Sequence, residues 1–326
     1  MKVTCPNMGT YAEAIKEIGN YLGWEVVSPP PTSDKTIELG ARYMHELMCL
    51  PAKITLGNFI QACEQGAKEL LMFDSCGLCR LKTYWILQER VLRKLGYDVT
   101  VHPIRLGLST PKDIRAVDPS VSYWKICAAF ISVLRKVIKL DKELWPEIPE
   151  ETDQVRIGIV GEIFTILEVA VNKDLIRKLQ KMGALVHNSL PLSYFVFKPL
   201  YNLGWMDRRG MDRKTFLTAR KLAHKYFPKE IGGHGNESII HTIYYGLKRF
   251  DGVIHLLPFP CMPEATVAPI LTDVSRDYNI PLMSLIFDTH TGEAGLDTRL
   301  ETFVDILKRK KERSLSVPGL TPIVFT

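Results

Sequence analysis

Apolar and polar positions along this chain alternate between two periods. Ala12, Ile15, Ile18, Gly19 and Leu22 recur at helical spacing, whereas Leu70 to Phe73 and Val253 to Leu257 are short apolar runs of the kind buried strands make. Read in order, the first half predicts strands at Val3, 25–27, 70–73 and 97–101, with helices over 11–22, 36–48, 54–68 and 82–95. Residues 112–144 carry a helical pattern without a strand, and PEIPEETDQ (146–154) reads as a linker. The alternation then restarts. Strands are predicted at 156–160, 185–188, 253–257 and 282–287, and helices over 172–182, 214–226, 238–249, 263–278 and 300–309. Strand and helix in turn indicate the α/β class with parallel, doubly wound sheets. The linker divides the chain into residues 1–152, an α/β unit with a helical extension, and 153–326, a second α/β unit.

Composition narrows the function classes. The net charge of +6 is spread along the chain, and its densest run, Lys308 to Lys311 with Arg313, ends the last helix, where cations suit the helix dipole. No basic run is interleaved with stacking aromatics, which argues against nucleic acid as a partner. No apolar run approaches the roughly 18 to 20 residues of a membrane span. The N-terminal MKVTCPNMG lacks a signal-peptide pattern, so a cytoplasmic protein with no membrane partner is expected. No Walker sequence, H-E-x-x-H or Ser-His-Asp order is present.

The chemistry lies in where the cysteines fall. Cys5, the pair Cys76 and Cys79 of a C-x-x-C, and Cys261 each sit where an apolar strand gives way to a helix. Open α/β sheets place their ligands at such turns. Cys49 ends a helical pattern before Pro51, which stops helices. Cys63 and Cys127 lie inside helical patterns and read as small core residues. Several lone thiols converging from separate loops suit an iron–sulfur cluster. A structural zinc site, a redox pair at the C-x-x-C, and unrelated thiols stay open alternatives. Arg80, Lys53 and Lys82 flank the cysteines, where positive charge would lower thiol pKa values. GGHGNE (232–237) opens a helix, and His234 and Glu237 are candidate proton carriers there. Glu264, three residues after Cys261, suits the first turn of a helix and is a candidate proton donor to a bound substrate.

Taken together, CPNMG, MCLPAKITLGNFIQACEQGA, FDSCGLCRLKTYW, IVGEIF, GGHGNES, PFPCMPEATVAP and SLIFDTHTGEAGLDTRLETFVD resemble the 2-hydroxyacyl-CoA dehydratase superfamily. The likeness is to its short branch related to dehydratase activases and double-cubane cluster proteins, and it runs from residue 1 to about 310. The resemblance implies two Rossmann- or flavodoxin-like domains with a cluster site between them. It implies Cys49, Cys79 and Cys261 as ligands of a 4Fe-4S cluster, with Cys5 and Cys76 as extra thiols suited to a fourth ligand or an 8Fe-9S double cubane. It also implies a separate ATP-hydrolysing iron–sulfur activator as partner and a homodimer among the assemblies to test. The function expected is a low-potential reductase or electron-accepting component acting on a small molecule. A subunit of an acyl-CoA dehydratase and an iron–sulfur carrier or scaffold are the alternatives.

Overall fold

The computed structural model describes residues 1–75, 79–105, 107, 109–188, 190–194 and 211–316. It contains two four-stranded sheets, both entirely parallel. The first has the order β2-β1-β3-β4, from β1 (Lys2–Thr4), β2 (Glu25–Val26), β3 (Glu69–Asp74) and β4 (Thr100–Arg105). The second repeats that order as β6-β5-β7-β8, from β5 (Arg156–Gly161), β6 (Leu185–Asn188), β7 (Gly252–Pro258) and β8 (Leu282–Phe287). This is the flavodoxin-type order, so the α/β expectation of two such units holds. In each sheet the chain leaves the first strand on one side and returns on the other. That reversal creates a switch point at the carboxyl ends of β1 and β3, and another at those of β5 and β7.

Burial explains the strands. Every residue of β5 and β7 is buried, as in parallel strands covered by helices on both faces. Pro103 sits within β4, where it is tolerated because β4 is an edge strand of its sheet. The strand expected at 97–101 lies at Thr100–Arg105.

The helix that carries Cys49 departs furthest from expectation. The pattern over 36–48 ends at Tyr43, and a new helix runs Leu50–Glu64 instead of 54–68. Its residues Leu50 through Cys63 are all buried, so no polar stripe marks its bounds. It presses on the helix Asp34–Tyr43 through two glycines. A Cβ on Gly40 would lie 1.7 Å from the Lys53 carbonyl oxygen, and one on Gly57 2.0 Å from that of Thr36. Elsewhere, 112–144 divides into helices Thr110–Val117 and Tyr123–Leu144. The helix expected over 172–182 is broken at Lys173 and Asp174, whose positive φ values of 55° and 56° leave Val169–Asn172 and Leu175–Lys181. The last helix is longer than expected, Glu293–Ser316.

One apolar core runs across both halves: Tyr11, Ile54 and Val137 pack in the same cluster as Ile157, Ile159 and Leu256. Buried Asp141, from the helix Tyr123–Leu144, accepts hydrogen bonds from the Tyr11 hydroxyl and, at 3.0 Å, from the Ser193 amide. Among the described residues, no helix is long and apolar enough to cross a membrane.

Candidate functional site

Two cysteines stand at the starts of helices that share a sequence pattern. Cys49 caps the N-terminus of Leu50–Glu64 in Cys-Leu-Pro-Ala, and Cys261 caps Met262–Asp277 in Cys-Met-Pro-Glu. Proline in the first turn needs no amide partner and is preset for a helix, so it begins these helices. Pro51 therefore starts a helix behind Cys49 instead of stopping one before it, which corrects the sequence reading. The two starts belong to different halves and are tied together, since the Leu50 amide donates to the Phe259 carbonyl at 3.0 Å.

Cys79 follows β3, at the switch point of the first sheet. Arg80, next to it, spans the site. Its guanidinium donates to the Leu47 carbonyl at 2.7 Å and to the Met262 sulfur at 3.1 Å. One side chain beside Cys79 thus holds the segment before Cys49 and the residue after Cys261. From the other side the glycine loop closes in. Gly233 has φ +58°, and a Cβ there would lie 2.9 Å from Pro263 Cγ and 3.4 Å from Cys79 Cβ.

Burial dominates the titration of the two helix-start thiols. Burial pushes the Cys49 thiol up to about 11, with the Tyr84 hydroxyl at its Sγ opposing and the charges of Glu162 and Cys79 adding to the rise. Burial also raises Cys261, followed by Glu264, Glu162 and Cys49. Helix N-termini favour thiolates, but at Cys49 and Cys261 desolvation outweighs the dipole. The expected lowering by Arg80, Lys53 and Lys82 is not met at these two thiols, because burial dominates and the charges that follow it are acidic. Such thiols are protonated near neutrality and poorly suited to thiol exchange.

Glu162, after β5, was not singled out in the sequence. Its only signal is its place at a strand end behind Gly161, the second sheet's counterpart of the cysteine turns. Its carboxylate caps the helix Ile163–Leu167, accepting from the Phe164 and Thr165 amides at 2.9 and 2.8 Å. Burial raises its pKa, and His234 opposes the rise. His234 caps Gly235–Leu247, with its Nδ1 accepting from the Ile163 amide at 3.4 Å. It therefore lies beside the turn that carries Glu162. Glu237, one turn further on, is buried and accepts from the Tyr194 hydroxyl at 3.1 Å.

Beneath Cys261 runs a buried polar chain. Glu264 Oε2 accepts from Ser238 Oγ at 2.8 Å and meets His255 Nε2 at 3.0 Å, while His255 Nδ1 lies 3.2 Å from Ser284 Oγ. Glu264 and His255 are both wholly buried, and Glu264 Oε1 has no hydrogen-bond partner. His255 was hidden to sequence reading inside an apolar strand.

Cys5 follows β1 but opens onto a cavity on the β2 side, and burial pushes it up to about 12. Cys63 is buried in its helix, while Cys127 is half-buried and so not the core residue expected. Cys76 lies outside the described residues.

The donor set fits an iron–sulfur cluster chemically. Soft thiols come from both halves, the Arg80 guanidinium lies beside them, and the buried Glu264 Oε1 has no hydrogen-bond partner. Among the described residues, no group of three or more His, Cys, Asp and Glu side chains is arranged around a common metal position. No family model and no curated protein matches the chain, so the dehydratase resemblance is carried by the motifs alone.

Proposed function

We propose that this chain is an iron–sulfur protein acting as a low-potential reductase or electron-accepting component. Cys49, Cys79 and Cys261 would hold the cluster. The observation that supports the reading is the convergence of the three cysteine segments, with Arg80 beside Cys79 bonded to Leu47 and Met262, and the Leu50 amide bonded to the Phe259 carbonyl. A bound cluster would supply reversible one-electron chemistry, with a potential lowered by thiolate charge and burial. Its binding would release the thiol protons that burial now retains.

The chain's own residues have separable tasks. Arg80 holds the loops in register, and Gly233 lets the glycine loop approach Cys79. Tyr84 presents a hydroxyl to the Cys49 sulfur, a polar contact of the kind that tunes metal ligands. His234, bonded to the amide that follows Glu162, would be the proton carrier beside the cluster, and Glu264 would serve Cys261 through its buried chain to His255. With no nucleotide-binding motif in the sequence, an ATP-hydrolysing activator is the natural electron source.

The test is iron and acid-labile sulfide per chain after anaerobic purification. About four irons supports a single cubane and about eight a double cubane. No iron, even after reconstitution, overturns the reading.

A further inference from the structure

A cavity of about 530 Å3 opens between the rim of the first sheet and the segment following β5, on the side of β1 away from Cys79. We propose that it is a second binding site, for a small aliphatic carboxylate. The proposal stands on the cavity alone and not on the cluster.

The size is that of a small-molecule pocket. It lies outside the carboxyl ends of β1 and β2, beside the switch point of the first sheet and not at it. The wall is largely apolar and stiff. Val26 and Val27 continue β2, and Pro6, Pro29 and Pro31 fix their own backbone, so little ordering remains for a ligand to impose.

The floor is built by the other half of the chain. Glu168, only 4% exposed, reaches across to clamp both loops. Its Oε2 accepts from the Gly9 amide and from the Thr32 hydroxyl, each at 3.2 Å, and its Oε1 accepts from the Ala170 amide at 3.5 Å. Gly9 is required there, because at φ +55° a Cβ would lie 2.5 Å from the Leu167 carbonyl oxygen. With these donors satisfied by Glu168, the floor offers a ligand no strong hydrogen-bonding demand.

The rim sets the charge. Lys16 and Glu13, both on the helix Ala12–Leu22, line the cavity, with the ammonium 3.9 Å from a carboxylate that is 83% exposed and free to turn to solvent. Such a long, exposed pair is weak, so an anion can replace it. Apolar walls, a satisfied floor and one cation at the rim together describe an aliphatic tail ending in a carboxylate.

The test is calorimetric titration of the full chain with butyrate, hexanoate and octanoate, and with hexylamine as the charge-reversed control. The expected result is affinity rising up to about fourfold per added methylene, with hexylamine not bound. Lys16→Ala should weaken hexanoate about fivefold, and Lys16→Arg should restore it. Val27→Trp, checked for folding by circular dichroism, should fill the space and abolish binding. Equal binding of hexanoate and hexylamine, no binding at all, or binding indifferent to Val27→Trp would overturn the proposal. Since the readout needs no iron, its failure leaves the cluster reading untouched.

Discussion

The two sheets share one strand order but furnish their switch points differently. In the first, the turns after β1 and β3 both carry thiols, Cys5 and Cys79. In the second, the turn after β5 carries Glu162 and the turn after β7 carries Cys261, backed by the buried pair Glu264 and His255. The frame is repeated while the chemistry is not. The first half offers soft donors and the second offers one soft donor among carboxylates and an imidazole. Under the proposed function, thiols from both halves would hold the centre and the carboxylates and imidazole would flank it on one side.

The comparison breaks most severely if the seat of Cys49 is disturbed. Gly57→Ala puts a methyl against the Thr36 carbonyl, backbone against helix, so neither side can yield cheaply. It is expected to cost about 3 kcal/mol, read by denaturant unfolding, and to lower iron content with it. On the second-half side, Glu264→Ala leaves Ser238 and His255 without their buried acceptor. A loss of about 2 kcal/mol is expected, and Glu264→Gln, which keeps an acceptor oxygen, should lose less than half of that.

A smaller effect separates the halves by pH. Burial raises the pKa of Glu168, the clamp between them, so the folded chain keeps its proton to higher pH than the unfolded chain. The stability this gives is complete below the ordinary carboxylate pKa and is lost as pH rises through the folded value. Thermal melts of Glu168→Gln from acid to neutral pH should therefore decline less with rising pH than those of the wild type. The smallest effect belongs to thiols away from the seam. Cys127→Ser should change stability by less than about 0.5 kcal/mol and leave iron unchanged. Loss of iron there would move the centre elsewhere.

Much of this was legible in the sequence, for reasons that particular elements show. β8 stands where its apolar run, Leu282 to Phe287, predicts it, and the turns that carry Cys5, Cys79 and Cys261 follow strands as their flanking patterns require. Cys49 was misplaced relative to its helix because Leu50–Glu64 is buried all round and Pro51 signals a start as readily as a stop. Lys173 and Asp174 broke a helix that periodicity made continuous, since left-handed residues leave no apolar signature. Glu162 and Tyr84 gain their significance from partners far away in sequence, at His234 and Cys49, whereas His255 is masked by the apolar strand around it.

The measurement that bears most directly on a centre shared between the halves is the iron content and reduced-state EPR spectrum of Cys261→Ala beside the wild type, both prepared anaerobically. Cys261 is the cysteine that the described second half contributes. Loss of iron and of the reduced signal, with the fold kept, is the predicted result. An unchanged cluster in Cys261→Ala would place every ligand in the first half and contradict the shared centre.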